Sequence, residues 1–458
     1  MALQEGRRDP VAVQAEAAPV RARTGRAGRP GGRAEARRFL LSLGFLLPAL
    51  VVLGALVVYP IFFSVYRSLY DRLGTTFVGL DNYRTMFSRP QTLTAIRNNA
   101  IWLVGPAIVT AVGLVLAVLA ERIRWSTAFK VVLFMPMAIS SLSAGVIWRI
   151  VYEEEPARGV ANAAIRTVVD VFRPPGPYPG ARPTDEGVLT AAGRAFVTTG
   201  SLRPGQVAEL GLVAIAPRLV PEDARPAAVP PSAPSDAIAG VVWLDFTPGG
   251  GGEKGRVDPT ERGLPGVKVE ALRDGEVVGS AVTDEAGAFA VQGLPPGDYR
   301  LRLAASNFRE PWGGITWLGP TLVTPAIILA WIWMWTGFAV VTLGAGLAAI
   351  PRDVLEAARV DGASEFQVFR RVTIPLLVPV VLVVLVTLVI NVLKIFDLIF
   401  VIAPGSVQDD ANVIALEMWR QAFGGVNDQG MGSALAVFLF VLVLPAMAFN
   451  YRRFKAGT

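Results

Sequence analysis

Glu356-Ala-Ala-Arg-Val-Asp-Gly-Ala-Ser-Glu-Phe-Gln-Val-Phe-Arg-Arg-Val-Thr-Ile-Pro375 is polar and charged, yet it lies between two long apolar stretches. Glu356, Ala357, Ala358 and Arg359 favour helix, and Gly362 suits the left-handed turn that ends one. Ser364 suits the N-cap of a following helix, with Gln367 at capping-box spacing. The segment therefore predicts helix, turn, helix. On the second helix Phe366, Val368, Phe369 and Val372 supply an apolar surface beside Arg370 and Arg371, which suits docking on another protein. A helical hairpin on the water side of a membrane can transmit a push.

Outward from this hairpin, the 458-residue chain is 52% hydrophobic and only 17% charged, too apolar for an ordinary soluble protein of this size. Cysteine and histidine are both absent. That removes disulfides, thiolate chemistry, Ser-His triads and histidine metal helices together. None of the five lysines follows a glycine, so no Gly-Lys-Ser/Thr phosphate loop exists here. If ATP drives this protein, a partner hydrolyses it.

Six segments are long and apolar enough to cross a bilayer, which takes about 20 residues. They lie within 39–66, 98–120, 130–149, 322–346, 375–395 and 431–450. Ahead of the first, residues 1–38 hold nine arginines among Ala, Gly and Pro. This tail is expected to be disordered, cytoplasmic and near anionic lipid; without interleaved aromatics it does not suggest nucleic acid. An even number of spans returns the C-terminal segment 452–458, with Arg452, Arg453 and Lys455, to the same inner side. The hairpin of the 351–375 loop then also faces the cytoplasm. Five arginines between the first and second spans run against this orientation, but the tail, two inner loops and the C-terminus outweigh them.

Between the third and fourth spans, residues 153–311 leave the membrane. Inside that insert, from about 237 to 304, Val267, Val269 and Ala271 alternate with Lys268 and Glu270, and Tyr299, Leu301 and Leu303 with Arg300 and Arg302. Period two with one polar face predicts half-buried antiparallel strands. Asp274-Gly275, Asp284 to Gly287 and Leu294 to Asp298 mark the turns. Residues 186–215 are candidates for further strands.

Glu356, Ala357, Ala358, Gly362 and Pro375 stand at the spacing of the Glu-Ala-Ala (EAA) loop, with Val372 and Ile374 in place of its usual Ile and Leu. In this the chain resembles the permease subunits of binding-protein-dependent ATP-driven (ABC) importers. Phe77 to Tyr83, Lys130 to Trp148 and Asn391 to Asp397 are similar to the carbohydrate-uptake, maltose-permease-like branch, and 412–437 to alpha-glucoside permeases. The β insert resembles the prealbumin-like Cna-B or SdrD-B sandwich, carried by Gly263 to Val269, Thr283 to Phe289 and the turn before Tyr299. The resemblance implies an all-α polytopic membrane protein of six transmembrane helices, 39–152 and 312–451, with an inserted extracytoplasmic β-sandwich, in a bacterial plasma membrane.

It further implies a transport subunit rather than an enzyme, carrying a sugar of alpha-glucoside or maltose type. Its expected partners are a second permease subunit, two ATPase subunits that use ATP-Mg, and an external solute-binding protein. The coupling residues would be Glu356, Ala357, Ala358, Asp361, Gly362 and Pro375. Intramembrane polar groups default to functional hypotheses, so Asn391, Lys394 and Asp397 are candidates for the substrate pathway, with Trp331 and Trp335 to stack on sugar faces. A snorkelling, neutralised Lys394 and plain packing of the tryptophans are the competing readings. In the insert Asp245, Asp258 and Lys268 raise calcium binding or an isopeptide bond, against which stands the usual solvated surface acid. An importer permease for another solute is the main rival. A secondary transporter is less favoured, because neither inverted repeats nor several buried intramembrane acids are present.

Overall fold

The computed structural model describes residues 32–456 apart from residue 122, with side chains described over 41–448. The first 31 residues of the expected basic tail therefore lie outside the described part. The remainder of that tail is helical rather than disordered, because α1 (Gly32–Leu53) begins ahead of the apolar run. The chain divides into two units, Met1–Tyr66 and Arg67–Thr458. In the first, α1 passes through a π-helical turn, Gly54–Val58, into α2 (Tyr59–Arg67). Pro60 is the second residue after this turn, and the wider turn accommodates a ring that lacks an N–H.

The second unit opens with α3 (Asp81–Ser88), α4 (Pro90–Trp102) and α5 (Val104–Glu121). Then come α6 (Ser126–Ala138) and α7 (Ser141–Val151), bent by 97° from each other. The single span expected over 130–149 is thus a broken pair. Pro136 removes a hydrogen bond within α6, which ends two residues on, and Ser140 restarts the helix by accepting a bond from the Ser143 backbone N–H at 3.2 Å. α8 (Val160–Phe172) follows. Beyond the β region lie α9 (Val323–Ala348), α10 (Arg352–Val360), α11 (Glu365–Val368), α12 (Ile374–Leu393), α13 (Asp397–Ile402), α14 (Ile414–Ala422) and α15 (Gln429–Ala456). Among the described residues five helices are long and apolar enough to cross a membrane, or six if the bent pair counts as one.

α9 is the axis of the helical core. It is apolar all round, the pattern of a helix covered by neighbours, and Val323, Ile327, Ala330, Val340 and Leu343 are fully buried along it. Small residues let the backbones approach. Gly113 of α5 lies against Ala339, Gly337 of α9 against Leu133 and Phe134 of α6, and Gly346 against Leu377 and Val380 of α12.

Nine strands lie between α8 and α9: β1 (Arg182–Pro183), β2 (Leu189–Ala192), β3 (Ala195–Thr198), β4 (Val207–Val213), β5 (Ile238–Leu244), β6 (Lys268–Arg273), β7 (Glu276–Val282), β8 (Ala288–Val291) and β9 (Arg300–Leu303). They form two sheets, ordered β1-β4-β5-β8 and β2-β3-β9-β6-β7, around a common core that includes Tyr178, Leu210, Val242, Val269 and Leu301. β2, β3 and β4 fall within 186–215, where further strands are expected ahead of the stretch 237–304, and only β1 precedes both. β4 lacks the alternation of β6 and β9: its run Leu210, Gly211 and Leu212 is buried throughout. Asp274 and Gly275, both at positive φ, turn β6 into β7.

Glu270 of β6 faces Arg302 of β9 in register, with oxygens 2.7 Å from the Arg302 guanidinium and 3.0 Å from Lys268 Nζ. Burial alone would push its carboxyl up, but the hydrogen bonds and charges of Lys268 and Arg302 overcome this and hold it below its ordinary range. A lowered carboxylate stabilises at neutral pH and loses that contribution as pH falls through its folded value. Arg302→Met is therefore expected to destabilise the sheets by about 1–3 kcal/mol at pH 7. Hydrogen exchange of the β6 amides should show that difference shrinking toward acid pH. A difference that grows on acidification would contradict the sign.

Candidate functional site

The hairpin after α9 is built as its residues dictate. α10 ends in a Schellman turn: Gly362, at φ +82°, donates to Arg359 O at 3.0 Å, and Ala363 donates to Ala358 O at 3.1 Å. Ser364 then caps α11 with a complete capping box, its N–H donating to Gln367 Oε1 at 2.8 Å. Arg359 reaches across the turn to Glu365 at 2.8 Å and ties the two helices together. Glu356, Ala357, Asp361, Gly362 and Pro375 are exposed and Ala358 is half-buried.

The apolar surface divides differently from the expected one. Phe366 is 68% exposed, but Val368 is buried and Phe369 and Val372 are half-buried. Val360, at 86% the most exposed large apolar side chain of the hairpin, joins Phe366 on the open side instead. Its helix is too short for periodicity to have flagged it. At the base of the hairpin a groove of about 480 Å³ is lined by the ends of α5 and α9, including Leu119 and Leu347, and by Ile350, Leu355, Arg359 and Phe366.

α11 does not stop at Val368. A π-turn, Phe369–Thr373, carries it into α12, so that Glu365–Leu393 is one rod of 29 residues, about 43 Å long at 1.5 Å per residue. Its far end reaches a second cavity, of about 290 Å³, lined by Ser141, Trp331, Trp335, Asn391, Lys394 and Asp397 among others. All five pathway residues singled out from the sequence therefore meet at one hollow.

Trp331 is buried and Trp335 half-buried, with ring centroids 6.0 Å apart. Trp102 of α4 holds Trp331 edge-on at 6.2 Å, a geometry favoured by the ring quadrupole. Lys394 and Asp397 are both exposed and form no ion pair with each other, so the mutual neutralisation considered for them is absent. Ser141 was missed by sequence reasoning. It is an ordinary residue in a serine-rich turn, and only the break between α6 and α7 brings it here.

Two buried polar hubs, also unread from the sequence, position these parts. Asn99 of α4 donates to Leu393 O at 3.2 Å, at the end of the rod, and accepts from Ile414 N at 2.9 Å. Asn98 donates to Asp410 O and Asn412 O, and Asn412 donates to Glu417 at 2.7 Å. Asn162 of α8, wholly buried, donates to Glu154 O at 2.8 Å and Ile315 O at 2.9 Å, and accepts from Ile315 N and Trp317 Nε1 at 3.0 Å. It thereby joins the chain entering the β region to the chain leaving it.

In the β region Asp245 accepts from Gly255 N at 2.8 Å and Asp258 from Glu253 N at 3.0 Å. Lys268 Nζ is engaged by Glu270 at 3.0 Å, while the Asn307 amide pairs with the Lys268 backbone. Among the described residues no cluster of three or more His, Cys, Asp or Glu is arranged to hold a metal ion.

Residues 237–452 match the family described as the binding-protein-dependent transport system inner membrane component. The chain is 29% identical to the osmoprotective compounds uptake permease GgtC of Synechocystis sp., over 90% of this chain and 98% of that one. It is 27% identical to the alpha-glucoside transport system permease AglF of Rhizobium meliloti, over 89% and 80%. Its fold is similar to a chain of a bacterial alginate ABC transporter crystallised with its alginate pentasaccharide-bound periplasmic protein. That match has a TM-score of 0.53 and 15% identity and covers 91% of this chain and 94% of the other. With the apolar helix core, the EAA hairpin and these matches together, the chain belongs to the binding-protein-dependent transport system inner membrane components, the permease subunits of ABC importers.

Proposed function

We propose that this chain forms half of the membrane pathway of a sugar importer in a bacterial plasma membrane. It crosses six times, α6 and α7 together making the third crossing, with both termini and the EAA hairpin in the cytoplasm and the β region outside. Its substrate is an alpha-glucoside or maltose-like oligosaccharide handed over by an external binding protein. A second permease subunit completes the pore, and two ATPase subunits hydrolyse ATP-Mg.

The observation that carries this reading is the cavity at the end of the rod. A hollow with two tryptophan faces and the polar groups of Ser141, Asn391, Lys394 and Asp397 matches the surface of a sugar, apolar on its ring faces and hydroxylated at its rim. Closure of the ATPase pair bears on Glu356 to Gly362. Because α11 and α12 are continuous, the same displacement reaches Asn391. The ATPase pair favours whichever permease state its closed form fits, and its differential affinity sets the bias.

Trp335→Ala is expected to weaken uptake by about tenfold through the loss of ring stacking, worth about 0.5–1.5 kcal/mol beyond area burial, together with that burial. A binding-protein-stimulated uptake assay in vesicles, with a panel of labelled sugars, measures it. Equal uptake by wild type and variant across the panel would remove the cavity from the pathway. The relation to GgtC favours one second reading, a small osmoprotective solute as cargo, and the same panel extended to such solutes separates the two.

A further inference from the structure

α8 is inside out for a helix in water. Val160, Val168, Val171 and Phe172 are 63%, 59%, 75% and 79% exposed, and Ala164 is exposed among them. At about 100° per residue these positions fall in one sector of the helix, which Thr167 alone interrupts with a polar group. The covered side carries the polar groups, with Ile165 and Val169 half-buried beside them. Asn162 is fully buried there, and Arg166 and Asp170 pair at 3.2 Å, both partly buried. An exposed, contiguous apolar face of this kind marks an interaction surface.

We propose that α8 lies along the outer surface of the bilayer with this face in the lipid. Asn162 fixes its level by bonding Trp317 and the backbone of Glu153 and Glu154. Trp317 lies tilted against Tyr152 at 5.7 Å, Tyr152 against Trp148 at 5.1 Å, and Trp148 meets Trp333 edge-on at 5.6 Å. Trp148 and Tyr152 stand at the end of α7 and Trp317 ahead of α9, the position at helix ends where Trp and Tyr mark the boundary of membrane and water. The lipid-facing surface is also continuous up to this level: Leu142, Val146 and Ile150 form an exposed stripe along α7 and stop one turn before Glu154.

With 13 residues α8 is too short to span and has the face expected of a helix lying about 5–10 Å into the headgroup boundary. Arg158 and Arg173, exposed just beyond its two ends, are placed for headgroup phosphates, Arg158 also meeting Glu155 at 3.5 Å. The β region would then be held close to the bilayer instead of swinging on a free linker.

This inference rests on the spanning arrangement proposed above, and the test separates the two. The chain contains no cysteine, so Val171→Cys and Phe172→Cys each give one labelling site. The variants carry an environment-sensitive dye and are assembled with the partner subunits in vesicles containing lipids with a quencher on the acyl chain. Ile150→Cys serves as the control in the span and Glu186→Cys as the control in water. The labels at 171 and 172 are expected to lose about half their emission, as at 150, with little change at 186. Labels at 171 and 172 that behave like 186, or that are shielded from both lipid and water only when the second permease subunit is present, overturn the proposal. An unquenched label at 150 overturns the membrane placement itself, and this proposal with it.

Discussion

Gly362→Pro is expected to abolish uptake and retention of the ATPase subunits while leaving the chain inserted in the membrane. Gly362 sits at φ +82°, whereas proline is locked near −65°. The variant also loses the N–H that bonds Arg359 O, and the residue before a proline is pushed to extended backbone, away from the φ −70° and ψ 5° of Asp361. Together these cost about 3 kcal/mol or more, enough to unmake the turn locally. The strain falls at the water-exposed tip, so the buried contacts of α9 and α12 are untouched. Glu356→Lys reverses an exposed charge on the same helix and should lower coupling with no change in fold. Co-purification of the ATPase subunits, substrate-stimulated ATP hydrolysis and a membrane fractionation measure the three properties. Normal hydrolysis in both variants would remove the hairpin from the coupling path.

Asn162→Ala carries the largest expected loss of stability. It strands the Ile315 N–H and the Trp317 indole N–H, and strips a donor from the carbonyls of Glu154 and Ile315. Each buried polar group left unpaired costs about 1–3 kcal/mol. Water entering the vacated space offsets part of this, so a net loss of about 3–5 kcal/mol is expected. The effect should be local: the neck of the β region opens, and proteolysis there accelerates while both sheets stay protected from hydrogen exchange. Asn162→Asp, assayed at acid pH where burial keeps its carboxyl protonated, discriminates further, because it retains the acceptor for Ile315 and Trp317 and one donor, so its defect should be the smaller. Equal defects in the two variants would mean that space rather than hydrogen bonding matters at this position.

What was legible in the sequence was local or periodic. The apolar runs, the Schellman glycine, the Ser364 capping box, and the alternation of β6 and β9 all depend on residues within a turn or a strand of one another. Length and polarity determine them before any tertiary contact forms. The pathway candidates were legible for a related reason: a polar or charged group in an apolar run stands out wherever it comes to lie.

Juxtaposition was the province of the tertiary structure. The break after Pro136 turns one expected span into two helices and delivers Ser141 to the cavity, and the parallel pairing of β4 with β5 is what joins the candidate strands of 186–215 to those beyond 237. Asn98, Asn99 and Asn162 look like any other asparagine in a helix until distant backbone supplies their partners. Sequence pattern determined which residues must avoid water. Only the packed chain decided which polar groups the interior would satisfy, because those bonds close over hundreds of residues and leave no period to read.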